Sequence, residues 1–285
     1  MKIRILSDLH IDINNNKNNT KFDKPIFGFE NEDLINSTDL ILICGDISGS
    51  YFKLNKYLDK LNNKLNNTKV IFILGNHEFY EYDIERVTKN QAIKELKKKY
   101  TKNDKITFLD NDYVGIDNKI IVGCPLYTDF TLYGSQSYSK NIASLYINDF
   151  RYVHLDDNGI NRRVMPEDYI KWHKESIEYI NNICKQFRNK DIIVMTHFLP
   201  TEQGISSEYI GDECNPFYCT NLEDLMLYNQ NIKLWCFGHS HSVFEGVIGS
   251  TTIINSCYGY SADKTFGYND NRLRPLDYSG KIVDI

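Results

Sequence analysis

No apolar run in this 285-residue chain approaches the roughly 20 residues that a membrane-spanning helix needs. There is no basic excess either. Lys and Arg number 33 against 38 Asp and Glu, a formal net charge of −5, so the footprint of a long nucleic-acid binder is missing. P-loop and dinucleotide-binding glycine patterns are absent. So is a G-x-S-x-G elbow, and no cysteine sits in a nucleophile-like motif. The seven cysteines are odd in number and include no C-x-x-C pair. Several lie inside apolar runs, so they read as buried free thiols of a reducing compartment. Met1–Leu6 is too short and too mixed in charge for a secretory signal. No repeat or long linker divides the chain. The expectation is a cytoplasmic, membrane-independent protein folded as a single domain over 1–285, with its oligomeric state open.

What is present is an alternation of apolar runs and polar motifs. Residues 2–6 read as a first strand, leading into Ser7-Asp8-Leu9-His10, and 14–24 as a solvated loop. Asp39–Cys44 is a run of the kind covered on both faces, followed by Gly45-Asp46. Helical spacing covers 53–65. Lys69–Leu74 ends in Gly75-Asn76-His77-Glu78, and 84–100 reads as another helix. Short strands are expected near 105–109 and 119–123. The stretch 126–153 is rich in aromatics, with a packed surface loop favoured over a base-stacking wall. Pro166–Phe187 is the longest helical signal, and the His173 on its apolar stripe reads as a satisfied core residue. Asp191–Met195 ends in Thr196-His197, followed by a polar loop at 200–219. Thr220-Asn221-Leu222-Glu223 fits a capping box. Ile232–Phe237 ends in Gly238-His239-Ser240-His241, and Val243–Ile248 with Thr251–Asn255 resembles a hairpin. This order predicts βαβ units and a largely parallel core.

Each polar motif alone is as well explained as a turn. Five strands that each end in a metal-type side chain are harder to explain that way. Strand ends of an α/β sheet converge on one crevice, so Asp8, His10, Asp46, Asn76, His77, His197, His239 and His241 can meet. Four histidines, two aspartates and an asparagine exceed what one ion takes up. Mixed imidazole and carboxylate donors suit zinc, iron or manganese better than calcium. Two such ions polarise a phosphoryl group and hold a hydroxide for in-line attack.

The ordered set Asp-x-His, Gly-Asp, Gly-Asn-His-Glu, His and Gly-His-x-His resembles the calcineurin-like metallophosphoesterase superfamily, from Asp8 to His241. The resemblance implies an α/β fold, a two-sheet β-sandwich flanked by helices in the order α/β/β/α. It implies a phosphoester hydrolase with a dinuclear metal centre, manganese favoured over iron or zinc. Asp8, His10, Asp46 and His241 would hold one ion, and Asp46, Asn76, His197 and His239 the other, with Asp46 bridging. His77 matches the non-ligand histidine that stabilises the transition state or protonates the leaving oxygen. Protein Ser/Thr phosphatases of the superfamily carry Asp-Arg-Gly after Gly-Asp and Ser-Arg after Asn-His-Glu. Here Ile47-Ser48-Gly49-Ser50 and Phe79-Tyr80 stand there. RNA lariat debranching enzymes carry Cys at the place of His10. The chain is more similar to the compact bacterial phosphoesterases, also at Leu126–Phe130 and Asn148–Phe150. The expected partner is a small phosphoester, nucleotides included, with phosphodiesters favoured. The rivals are a phosphomonoesterase, protein phosphatase or nuclease of the same superfamily, and a metal-holding scaffold without catalysis.

Overall fold

The computed structural model describes residues 1–14, 32–80, 87–260 and 278–285. Among these, the strands in chain order are β1 (Lys2–Leu6), β2 (Leu40–Cys44), β3 (Lys69–Ile73), β4 (Ile106–Phe108), β5 (Asp112–Ile116), β6 (Lys119–Gly123), β7 (His154–Asp157), β8 (Ile160–Arg163), β9 (Asp191–Met195), β10 (Ile232–Phe237), β11 (Phe244–Ile248), β12 (Thr251–Asn255) and β13 (Lys281–Asp284). One sheet has the order β13-β1-β2-β3-β4 and the other β11-β12-β10-β9-β6-β5, with β7-β8 a separate ribbon. β1 to β4 run parallel, and only β13 is antiparallel. In the second sheet β6, β9, β10 and β12 are parallel, with β5 and β11 antiparallel at the edges.

The two sheets pack face to face because the runs are apolar on both faces. All five residues of β2 are buried. The pleat sends Leu40, Leu42 and Cys44 inward, where they join Ile193, Met195, Leu234 and Cys236 of the other sheet in one cluster. Ile41 and Ile43 face outward and join Leu54, Leu58 and Leu61 of the helix Tyr51–Lys64. Val122, Ile192 and Val194 share that outer cluster with Ile180 and Ile183 of the helix Pro166–Gln186. Each fully buried Ile or Leu contributes about 1.5–3 kcal/mol to this arrangement. The result is the α/β/β/α sandwich that the resemblance implied.

Several expectations shift. The helix 53–65 begins at Tyr51, because the Ser50 hydroxyl accepts from the Lys53 N–H. The helix 84–100 begins at Lys89, where Thr88 and Gln91 form a reciprocal capping box; residues 84–86 lie outside the described set. Most of the loop expected at 14–24 also lies outside it, and Asn14 ends a helical turn, Ile11–Asn14. Thr220 does not cap a helix. The helix is Glu223–Tyr228, and the Glu223 carboxylate instead accepts from Thr201 and Gln203. The stretch 126–153 is not a surface loop. It contains helices Gln136–Tyr146 and Asp149–Tyr152, and Tyr127 and Phe130 are buried. β5, the ribbon β7-β8 and β13 lie outside the sequence reading. All seven cysteines are unpaired and six are buried. No helix among the described residues is long and apolar enough to cross a membrane.

Candidate metal centre

β1, β2 and β3 of one sheet and β9 and β10 of the other release their chains at the same end of the sandwich. Backbone hydrogen bonds lace the exits together. The Asp8 N–H donates to Gly45 O (3.1 Å), His10 N–H to Asp46 O (3.0 Å), and Gly238 N–H to His197 O (3.0 Å). The exits are so crowded that glycine is required. A Cβ on Gly75 would meet the His197 ring at 2.7 Å, and one on Gly238 would meet the Asp8 carboxylate at 2.6 Å. The donors themselves turn sharply. Asp8, His10, Asp46, His239 and His241 all adopt left-handed φ, between 42° and 71°. That conformation costs on the order of 1–3 kcal/mol at each non-glycine residue, and such outliers gather at functional sites.

The side chains converge as a result. Donor atoms of Asp8, His10, Asp46 and His241 lie within 4.8 Å of one another, as do those of Asp46, His197 and His239. Asp46 belongs to both groups. Its Oδ1 is 3.4 Å from His197 Nε2, and its Oδ2 is 3.7 Å from His10 Nε2. Asn76 Oδ1 sits 3.1 Å from His197 Nε2, beside the second group. The His77 N–H donates to Asp46 Oδ1 (2.9 Å), while its ring Nε2 lies 4.0 Å from Asp46 Oδ2 and 3.3 Å from the Tyr260 hydroxyl. All eight residues picked out by the motifs therefore share one pocket.

The charge states of His10, His239 and Asp46 suit cation binding, whereas His197 must first give up a proton. Burial holds His10 and His239 well below the ordinary imidazole range, so both present a neutral ring with a free lone pair. Burial pushes Asp46 upward, but the imidazoles of His197, His77 and His10 outweigh it and hold the carboxylate well below its usual range. Burial also acts against charge on His197, but Asp46 overrides it and raises that imidazole to about 10. Its Nδ1 lies 2.8 Å from Cys44 O and donates to it, which leaves Nε2 facing the pocket. Asp46 Oδ2 and His239 Nε2 are buried with no hydrogen-bond partner among the described residues. A buried acceptor of that kind costs free energy unless something satisfies it, and a cation between these atoms does so. The donor set therefore fits a pair of divalent transition metals.

Three supporting groups escaped the sequence reading. Glu78 was visible in the motif yet received no role. It is buried and accepts from the N–H groups of Asp46 (3.1 Å), Ile47 (2.5 Å), Ser48 (3.2 Å) and Gly75 (2.7 Å), tying two strand exits together. Asp149 is fully buried and accepts from Asn76, Tyr80 and Tyr169; its segment Asn148–Phe150 carries a resemblance but gives it no role. Phe198, Tyr218 and Phe217 pack against the His239 ring at 4.2, 4.7 and 5.6 Å. His173 is buried with its Nδ1 3.2 Å from the carbonyls of Leu126 and Tyr127, as a satisfied core residue.

The family model for calcineurin-like phosphoesterases matches residues 1–243. An uncharacterized protein of Acanthamoeba polyphaga mimivirus is 25% identical over 292 residues, covering 99% of this chain and 98% of that one. Among solved structures, the phosphopantetheinyl hydrolase of Mycobacterium tuberculosis superposes with a TM-score of 0.63 at 17% identity, over 96% of this chain and 98% of that one. A 5′-nucleotidase assigned in Staphylococcus aureus, solved with alpha-ketoglutarate, gives 0.50 at 15% identity, over 91% of this chain and 48% of that one. These two superpositions are likenesses of fold.

Proposed function

The chain belongs to the calcineurin-like phosphoesterase family, and on that premise we propose that it hydrolyses small phosphodiesters at a dinuclear manganese centre. The observation that carries this reading is the sharing of Asp46 between two groups of donor atoms, each within 4.8 Å. Asp8, His10, Asp46 and His241 hold one cation; Asp46, Asn76, His197 and His239 hold the other. Bound cations polarise the phosphoryl group and stabilise charge on the attacking and leaving oxygens.

His77 is the proton donor. Its ring is 18% exposed, whereas those of His10 and His197 are enclosed, so it can reach a leaving group. As the P–O bond breaks, the departing alkoxide takes the proton from Nε2. Diesters are favoured over monoesters because a terminal phosphate needs a cationic clamp. Phe79 and Tyr80 are buried where the protein phosphatases carry an arginine. Arg4, Arg151 and Arg162 spend their guanidiniums elsewhere in the fold. Substrate selection falls to the segments 126–165 and 200–219, which bring Tyr152 against Tyr80 and Tyr218 against His239. Seven unpaired cysteines agree with a reducing, cytoplasmic setting.

The test compares bis-(p-nitrophenyl) phosphate with p-nitrophenyl phosphate under added manganese. We expect faster diester turnover, abolished by chelator. His77→Ala should lower kcat by about 100- to 10,000-fold with bound metal unchanged. A wild type inactive with manganese, iron and zinc alike would favour the non-catalytic scaffold instead.

A further inference from the structure

We propose that Asp149 is a positioning residue: it turns the Asn76 amide so that its oxygen, not its nitrogen, faces the second cation. The proposal rests on the reading of Asn76 as a ligand. A side-chain amide has one acceptor end and one donor end, and which end faces a pocket is decided by its hydrogen-bond network. Asp149 supplies that decision. Its Oδ1 lies 2.9 Å from Asn76 Nδ2. The hydroxyl of Tyr80 donates to the same oxygen, and that of Tyr169 to Oδ2. Three donors thus converge on two buried oxygens. With its nitrogen held on that side, Asn76 presents Oδ1 toward His197 Nε2, 3.1 Å away.

The network also reaches the proton donor. The Tyr80 ring that donates to Asp149 stacks on the His77 ring, with centroids 4.2 Å apart and planes at 29°. One carboxylate, 73 residues along the chain from Asn76, therefore fixes a ligand and braces the ring beside it. Tyr169 anchors it from the helix Pro166–Gln186, so the orientation is supported by a packed element and not by a loop. Outer partners of this kind typically govern metal affinity by about 10- to 100-fold.

A double-mutant cycle tests this, read by manganese bound per chain in elemental analysis and titration, with circular dichroism and melting temperature for each variant. Asp149→Asn keeps the volume and replaces one acceptor with a donor. We expect wild type to bind two ions and Asp149→Leu, which removes both acceptors at similar volume so that no rotation can restore one, to bind one with the second weakened by about 10- to 100-fold. Asn76→Asp alone places two carboxylates face to face and also disturbs the second ion. The double variant Asn76→Asp, Asp149→Asn gives position 76 an oxygen on both sides, one for the cation and one for the new N–H. Its second ion should return toward wild-type affinity, which a packing role alone does not predict. If Asp149→Leu does not fold, the comparison of Asn76→Asp with the double variant carries the same test. Two ions held at wild-type affinity by Asp149→Leu, or a folded double variant no tighter than the single variants, would overturn the proposal alone. A wild type that takes up no manganese would overturn the metal-centre reading and this proposal with it.

Discussion

The two groups of donor atoms share Asp46 but are built differently. The group with His197 and His239 is enclosed and wired into the fold. His197 donates to Cys44 O across the sheets, Asn76 is held by Asp149, and aromatic rings flank His239. The group with Asp8, His10 and His241 is more open. The His241 side chain is 21% exposed. His10 and His241 face each other Nε2 to Nε2 at 3.0 Å, and His10 Nδ1 has no partner. Burial keeps both rings toward the neutral form, and a cation would take the place of the hydrogen bond between their Nε2 atoms. The contrast teaches that the side chains of one half are held mainly by protein contacts, while in the other Asp8 is held by the His239 N–H and the imidazoles of His10 and His241 would gain more from an ion. The enclosed group should be the tighter site and the open one the exchangeable site.

Removing what the halves share should have the largest effect. Asp46→Asn is expected to lose both ions and roughly a thousandfold or more in hydrolysis, equivalent to about 4 kcal/mol. Metal analysis beside the diester assay checks this, and retention of two ions would break the comparison at its root. Next comes the asymmetry between the halves. His197→Ala should lose the tight ion and also destabilise the fold by about 1–3 kcal/mol, because it removes a buried imidazole and its hydrogen bond to Cys44 O, which keeps the Ser7 hydroxyl. His241→Ala should lose the weaker ion with little change in melting temperature. Equal melting temperatures for the two variants would contradict the difference drawn between them.

The smallest expected effect is on pH. Without metal, His197 is protonated up to about 10, driven by Asp46 against the burial that opposes it. The stability this proton contributes is complete below the ordinary imidazole range near pH 6.5 and is lost as pH rises through about 10. Metal uptake must displace that proton, so binding at the enclosed site should tighten by about tenfold per pH unit between pH 6 and 8. Calorimetry in buffers of different ionisation enthalpy would read about one proton released. No release would mean that His197 enters the site neutral.

The strand-end residues were legible because each follows a run of apolar residues, and a sheet gathers such ends whatever their separation in sequence. The long helix Pro166–Gln186 was legible through its stripe. The edge strand β5 was not, since its side chains are largely exposed and show no clean alternation. The ribbon β7-β8 carried a usable signal in Asn158-Gly159, both at positive φ, the turn pair typical of a two-residue hairpin. The role of Asp149, whose segment Asn148–Phe150 was visible, and the partner strand β13 were out of reach, because both arise only from distant pairing. The left-handed backbones of Asp8, His10 and Asp46 were not announced either: Asp and His enter that region more often than most residues, but it stays uncommon for them and no local pattern marks these positions.

The most direct measurement is anomalous scattering at the manganese edge from crystals grown with the metal. Two peaks about 3.5–4 Å apart, one on each side of the Asp46 carboxylate, are the expected result. A single peak away from Asp46, or none, would contradict the shared centre on which the proposed chemistry stands.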